Sequence, residues 1–440
     1  MKVILRRVLI LSILAFIVFL VFLSQYNKIH FNEIITGVSN PGRILIYKWS
    51  NYYFDRKEIP TDFKLVHAVR IGDIYNDGRN IIAVGMGNGF FGPPWGCQVG
   101  AYTFDEKEWQ RAVIDEVNDP RCKDLTIGDV DNDGKNELVL GTHGEGIIKT
   151  YKWDGNKWDK EIIERNWIEQ VDKLLNISHR VPREDLTYDY IVQSAVHIVK
   201  VGDADNDGKN EIVASISSPL EYPGEDVSYL NLYKWNGDSW QRTVIDNREG
   251  EEFRSIAIGD AYNKGKNVIL VGSGVMWNKK EYASLTLYEW NERKWIKHVV
   301  EDKIKEKNMK GLAIGDAYNK GKDVIVLATG FSQGLIYTYE WNDKNFEIVF
   351  VGNISEIYKV YVKNNMFPDI MHNSMEAQIK DIDGDGKNEI IVGGMSHTKN
   401  FGWETTTLGF LIVFKWQDEK WDYKVLDSYS VLGMDVGNII

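Results

Sequence analysis

The chain has 440 residues, 43% of them apolar, 26% charged and 12% aromatic, which excludes a disordered polymer and suffices for a large core. Its 52 basic against 64 acidic residues give a formal net charge of −12, the wrong sign for a nucleic-acid partner and a suitable one for divalent cations. Two cysteines exclude a disulfide scaffold and any four-thiolate zinc site.

Lys2, Arg6 and Arg7 precede an apolar run from Val8 to Leu23 that only Ser12 interrupts. As a helix this run spans roughly 24 Å, close to the ~30 Å of a hydrocarbon core. The cationic start places residues 1–7 in the cytoplasm. The exit from Phe22 to Asn27 lacks the small-residue pattern of a cleaved signal. The expectation is a single-pass anchor over residues 8–23 in the cell membrane, a linker over 24–42, and the remainder on the extracytoplasmic side. Cleavage of the segment would leave a secreted protein.

From residue 43 onward the chain repeats. An apolar strand, Gly-Asp, a polar turn with glycine and a second apolar strand recur around Asp73, Asp129, Asp203, Asp260 and Asp316, and again around Asp381, where Lys380 stands in place of the first glycine. Each copy is followed by a strand ending in an aromatic, a tight turn and another aromatic. These pairs are Phe104/Trp109, Trp153/Trp158, Trp235/Trp240, Trp290/Trp295, Trp341/Phe346 and Trp416/Trp421. A seventh pair, Trp49/Phe54, stands alone near the N-terminus, and a seventh first element, from Val431 to Ile440, stands alone at the C-terminus. The halves complement each other. An all-β fold follows: a seven-bladed β-propeller over residues 43–440, closed by both termini and preceded by one N-terminal transmembrane helix. The last unit stops at Ile440, where other copies continue into the second strand, so either its blade is short or the sequence is truncated there. The paired aromatics are expected to pack as structure.

Three of the turns carry a specific spacing of acids. They hold Asp129, Asp131, Asp133 and Glu137; Asp203, Asp205, Asp207 and Glu211; and Asp381, Asp383, Asp385 and Glu389. Oxygens at positions 1, 3, 5 and 9 of a tight loop, with glycine at 6, form a hard donor set that suits Ca²⁺. The closing acid at position 9 separates the loop from an EF-hand, which closes at 12. The copies at Asp260 and Asp316 have Tyr at position 3, Lys at 5 and Val at 9, so Lys264 and Lys320 are expected to take the cation's place beside the remaining aspartate. The first copy keeps Asp73 and Asp77 only. Three calcium ions are therefore expected, not six.

These units resemble FG-GAP/VCBS repeats, the family that builds integrin α-like propellers, over about residues 43–440. The resemblance implies calcium in the turns between the first two strands of each blade. For function it implies only a range, since such propellers occur in adhesion proteins, lectins and lyases.

The long connections all fall on the face opposite the acidic turns, where binding sites form on rigid scaffolds. Four tryptophans outside the repeat, Trp95, Trp167, Trp277 and Trp403, lie there with His143 and His397. Such aromatics suit stacking on sugar rings or docking protein anchors. Cys97 and Cys122 fall on the same face and can pair outside the cytoplasm. No nucleophile elbow, HExxH, phosphate loop or dinucleotide fingerprint is present. The expected role is a calcium-binding adhesion module for a glycan or surface protein. The alternative is a carbohydrate-active enzyme such as a polysaccharide lyase that uses the face histidines.

Overall fold

The computed structural model describes residues 32–439, except 51–52, 89–95, 106, 120, 166–193, 218–226, 275–281, 363–369 and 399–407. The described residues form 28 strands, paired antiparallel in consecutive runs of four. The first described strands are Glu33–Val38 (β1), Arg43–Ser50 (β2) and Tyr53–Pro60 (β3). Unit 1 is Leu65–Gly72, Ile81–Gly87, Cys97–Phe104 and Trp109–Val117 (β4 to β7). Unit 2 is Cys122–Gly128, Glu137–Gly144, Ile148–Trp153 and Trp158–Glu164 (β8 to β11). Unit 3 is Ser194–Gly202, Glu211–Ser217, Val227–Trp235 and Trp240–Glu249 (β12 to β15). Unit 4 is Glu252–Gly259, Val268–Gly274, Ala283–Trp290 and Trp295–Ile304 (β16 to β19). Unit 5 is Asn308–Gly315, Val324–Ser332, Leu335–Trp341 and Phe346–Asn353 (β20 to β23). Unit 6 is Ile370–Lys380, Glu389–Thr398, Leu408–Gln417 and Lys420–Tyr429 (β24 to β27). The last strand, Val431–Gly437 (β28), pairs with β1, so both ends of the chain share one sheet in the order β28-β1-β2-β3.

This corrects the boundary expected at residue 43. Glu33–Val38 is not linker but the second strand of the closing unit, fully buried between β28 and β2. The unit is therefore not short. The segment was easy to miss because it is six residues long and separated by the whole chain from its partner.

Burial orders each unit from inside to outside. The second strands, such as Ile81–Gly87 and Val268–Gly274, are buried throughout, whereas the fourth strands alternate with solvent. First strands touch in a closed cycle, β4 to β8 to β12 to β16 to β20 to β24 to β28 and back to β4. The arrangement is propeller-like, with the first strands around a common axis. Close approach between units requires small residues: a Cβ on Gly141 would stand 2.6 Å from Val196 Cγ1 of the next unit.

Each first strand also carries a register shift at one fixed place. The residues passed over are His67, Lys123, His197, Arg254, Lys310, Met375 and, in the closing unit, Leu432. A bulge of this kind re-aims one side chain out of the strand's alternation.

Cys97 opens β6 and Cys122 opens β8, and a disulfide joins them, with Cα atoms 5.5 Å apart. It ties unit 1 to unit 2 across a loop of 25 residues. By loop-closure entropy this is worth about 3 kcal/mol. Replacing both cysteines by alanine should lower unfolding free energy by that amount in urea titrations, and reductant should have no further effect on the double variant.

One helix is described, Ile354–Val362 (α1), with Asn353 Oδ1 accepting from the Glu356 amide at 3.3 Å as an N-cap. No described helix is long and apolar enough to cross a membrane; the segment 8–23 lies outside the described residues.

Candidate metal centre

The three acid-rich turns join the first and second strands of units 2, 3 and 6. In unit 2, Asp129 braces the turn: its carboxylate accepts from the amides of Asp133 at 3.0 Å and Gly134 at 2.8 Å. Asn132 stands at φ +60° and Gly134 at φ +90°, which lets the chain reverse within a few residues. Glu137 opens β9 and turns back, so that Oε2 accepts from the Val130 amide at 2.9 Å. The result brings oxygens of Asp129, Asp131 and Glu137 within 4.8 Å of one another. Asp203, Asp205 and Glu211 converge equally, as do Asp381, Asp383 and Asp385. In the first two turns the acid at position 5, Asp133 or Asp207, stands at the exposed lip outside that trio.

At the centre of each turn sits an ammonium that the sequence reading did not foresee. Lys152, from β10, reaches Asp131, Asp133 Oδ2 at 2.7 Å and Glu137 Oε1 at 3.2 Å. Lys234 meets Asp205 and Asp207 at 2.6 Å and Glu211 at 3.1 Å. Lys415 meets Asp383, Asp385 and Glu389 at 2.6, 2.8 and 3.0 Å. Burial drives the carboxyls of Glu137, Glu211 and Glu389 up to about 7. Burial opposes the charge on Lys152, but its hydrogen bonds to Asp131 and Asp133 and the Glu137 charge hold it above the ordinary lysine value. A recess of about 160 Å³, lined by Asp131, Glu137, Lys152, Trp235 and Trp240 among others, borders this centre.

The lysine tracks the loop chemistry. Residues before the first aromatic of the pair are Lys152, Lys234 and Lys415 where the turn is fully acidic, and Glu289 and Glu340 in units 4 and 5. There the expectation for Lys264 and Lys320 is corrected. Asp260 binds the amides of Lys264 and Gly265, while the Lys264 ammonium lies over the rings of Tyr262 and Trp341 at 5.3 and 5.6 Å. Lys320 likewise lies over Tyr318 and Trp416. Cation–π attraction and an exposed lip win over a second ion pair. The tyrosines at position 3 have their own task. Tyr75 packs on Trp153 and Trp158, Tyr262 on Trp341 and Phe346, and Tyr318 on Trp416 and Trp421, each joining one unit to the next. Among the described residues, none of these three turns assembles an acidic trio.

An asparagine belt was also missed. Asn132 donates to the Asn210 carbonyl at 3.1 Å and accepts from its amide at 2.7 Å, and Asn210 Nδ2 donates to the Asp129 carbonyl at 3.0 Å. The same exchange links Asn76 to Asn136, Asn206 to Asn267 and Asn319 to Asn388. Asn32 donates to the Asp381 carbonyl at 2.7 Å and continues the belt into the closing unit. The signal was present as asparagine at positions 4 and 8 of the turn. Asn132→Ala should cost about 1–3 kcal/mol, since it strands two backbone groups, measurable by chemical denaturation.

The four loop tryptophans, Trp95, Trp167, Trp277 and Trp403, lie outside the described residues. His143 and His397 are buried, in β9 and β25, and have different neighbours. His143 stands 5.6 Å from the His197 ring, and His397 lies 5.7 Å from Phe331. Burial lowers the pKa of both. His67 and His197 lie within the first strands of units 1 and 3.

Residues 58–176 match the family model described as integrin-alpha FG-GAP repeat-containing protein 2. Comparison with curated protein sequences finds no match. Among solved structures, an Agrocybe aegerita lectin described for recognition of non-reducing terminal N-acetylglucosamine aligns at TM-score 0.50 and 13% identity, covering 93% of this chain and 96% of its own. A periplasmic gluconolactonase of Pseudomonas aeruginosa aligns at TM-score 0.52 and 13% identity, covering 93% and 99%. A Lactobacillus plantarum protein aligns at 0.54 and 8%, covering 92% and 99%. At such identities the likeness is one of fold.

Proposed function

We propose, from the premise that this chain carries FG-GAP repeats of the integrin-alpha-like kind, that it is a membrane-anchored, extracytoplasmic binding module. Its seven units act as the blades of one propeller, three of its turns bind calcium, and the opposite face engages a glycan or a surface protein. The observation that carries the reading is the recurrence, in three turns, of carboxylates converging on one cationic centre. The donor set is oxygen only, which suits a hard divalent ion. Asp129, Asp131, Asp133 and Glu137 would hold the ion in unit 2, and their counterparts would do so in units 3 and 6. Bound calcium would supply charge compensation and rigidity to the rim. Lys152, Lys234 and Lys415 provide that compensation from within the chain and would have to swing aside.

The test is twofold. Calcium titration of the full chain in detergent should give saturable binding that D131A reduces by one site. Glycan-array screening in calcium should return ligands bound without turnover. Product release from a polysaccharide, abolished by H143A or H397A, would replace this reading with the lyase.

A further inference from the structure

The residues that bulge from the first strands form a second constellation, distinct from the acidic turns. Each lies six positions before the first residue of its turn, so the ring stands roughly 20 Å away at 3.3 Å per residue, at the other end of the strands. Going round, it reads His67, Lys123, His197, Arg254, Lys310, Met375 and Leu432. Five of the seven are basic or imidazole side chains, and all seven are withdrawn from solvent to some degree.

These side chains share a single space. Lys123 Nζ lies 3.3 Å from His67 Nε2 of unit 1, and Lys310 Nζ lies 3.7 Å from Met375 Sδ of unit 6. Lys123 also feels the charges of Lys310, Arg121 and Arg254, which come from units 5, 2 and 4. Strands that are not neighbours thus contribute to one axial cluster.

The nearby carboxylates are already engaged. Asp124 binds Arg70 at 2.6 Å and the Val199 amide at 3.0 Å; Glu376 binds Arg70 at 3.2 Å; Glu252 contacts Arg254. Neither Lys123 nor Lys310 makes an ion pair among the described residues. Lys123 is only 8% exposed. A buried and a half-buried ammonium group without ion-pair partners are costly, and each must either shed its proton or gain an anion.

We propose that this axial ring is an anion-binding site for a small, multiply charged oxyanion, phosphate-like or dicarboxylate, held between Lys123, Lys310 and Arg254. Specificity for multiple charge follows from two ammonium groups without ion pairs and one guanidinium, which Glu252 already contacts, converging from three different units. The site does not depend on the calcium reading, because no residue of the turns takes part.

Proton uptake should accompany binding. Burial, and then the neighbouring Lys310, Arg121 and Arg254, push the Lys123 ammonium well below its ordinary value, against Asp124. Burial with Arg254 and Arg121 brings Lys310 down to about 7, against Glu376 and Lys123. His67, His143 and His197 face the same space and are also held neutral by burial. An anion favours the charged lysines, so affinity should rise as pH falls through this range.

The experiment is calorimetric titration of the full chain in detergent, free of divalent ions, with sulfate and separately with malonate. Sulfate keeps its charge over the range, so any pH dependence belongs to the protein. Saturable one-to-one binding is expected, about tenfold or more tighter near pH 6 than near pH 8, with heats that vary with the buffer's ionisation enthalpy. K123M and K310M should each weaken binding at least about tenfold while leaving the melting temperature unchanged or raised, because a buried charge is replaced by an apolar chain of similar length. A preference for malonate or sulfate identifies the ligand class. Absence of saturable binding of both at either pH, or binding unaltered in the K123M/K310M double variant, overturns the proposal.

Discussion

Lys152→Met is expected to destabilise the protein by about 3 kcal/mol in chelator, because it leaves Glu137, 3% exposed, beside Asp131 without a cation. The figure is taken at the low end since Lys152 itself is 29% exposed. Calcium should reverse the loss. At a hundredfold excess over its dissociation constant, an ion contributes about 2.7 kcal/mol, nearly restoring the variant. The variant should also bind calcium more tightly than the parent, which must first displace the ammonium. Chemical denaturation with and without calcium checks both statements. A loss of equal size in both conditions would mean that the lysine is merely structural.

Arg70→Met should be the most damaging single change. Arg70 is buried and binds Asp124 of unit 2 and Glu376 of unit 6, and donates to the Met434 carbonyl of the closing unit at 3.3 Å. One guanidinium therefore neutralises carboxylates from two units and holds the seam where both chain ends meet. Its removal strands buried charges, at a cost of about 3–5 kcal/mol. The exposed pair Lys359–Glu356, with both partners 68% exposed, is the control: K359A should change stability by no more than about 0.5 kcal/mol. Urea unfolding of both variants measures the difference, and added salt should not rescue R70M.

Much of this was legible in the sequence because the repeat itself is the signal. Gly-Asp turns and aromatic pairs located the hairpins, and Trp153 indeed stands opposite Trp158 in register. The split between termini was visible as two unmatched halves, which the β28-β1 pairing joins. What escaped was information carried by positions rather than by motifs. The strand Glu33–Val38 has no motif of its own, although Asn32 and Glu33 repeat the Asn136-Glu137 ending of a turn. Glu33 even meets Lys48 at 3.1 Å, as Glu137 meets Lys152. The lysine in the acidic centre is distant in sequence from the acids it joins, so spacing within the turn could not reveal it. The bulge residues vary in identity, from histidine to leucine, and only their constant offset from the turn marks them. Lys264 and Lys320 were misplaced because a nearby aspartate suggested a partner, while an aromatic face from the next unit offered a better one.

The central claim concerns the three oxygen-lined turns, and direct metal counting tests it most simply. Full-length protein equilibrated with calcium and freed of excess ion should retain three calcium ions per chain by elemental analysis, and two in D131A. Retention of none, or of the same number in parent and D131A, would contradict it.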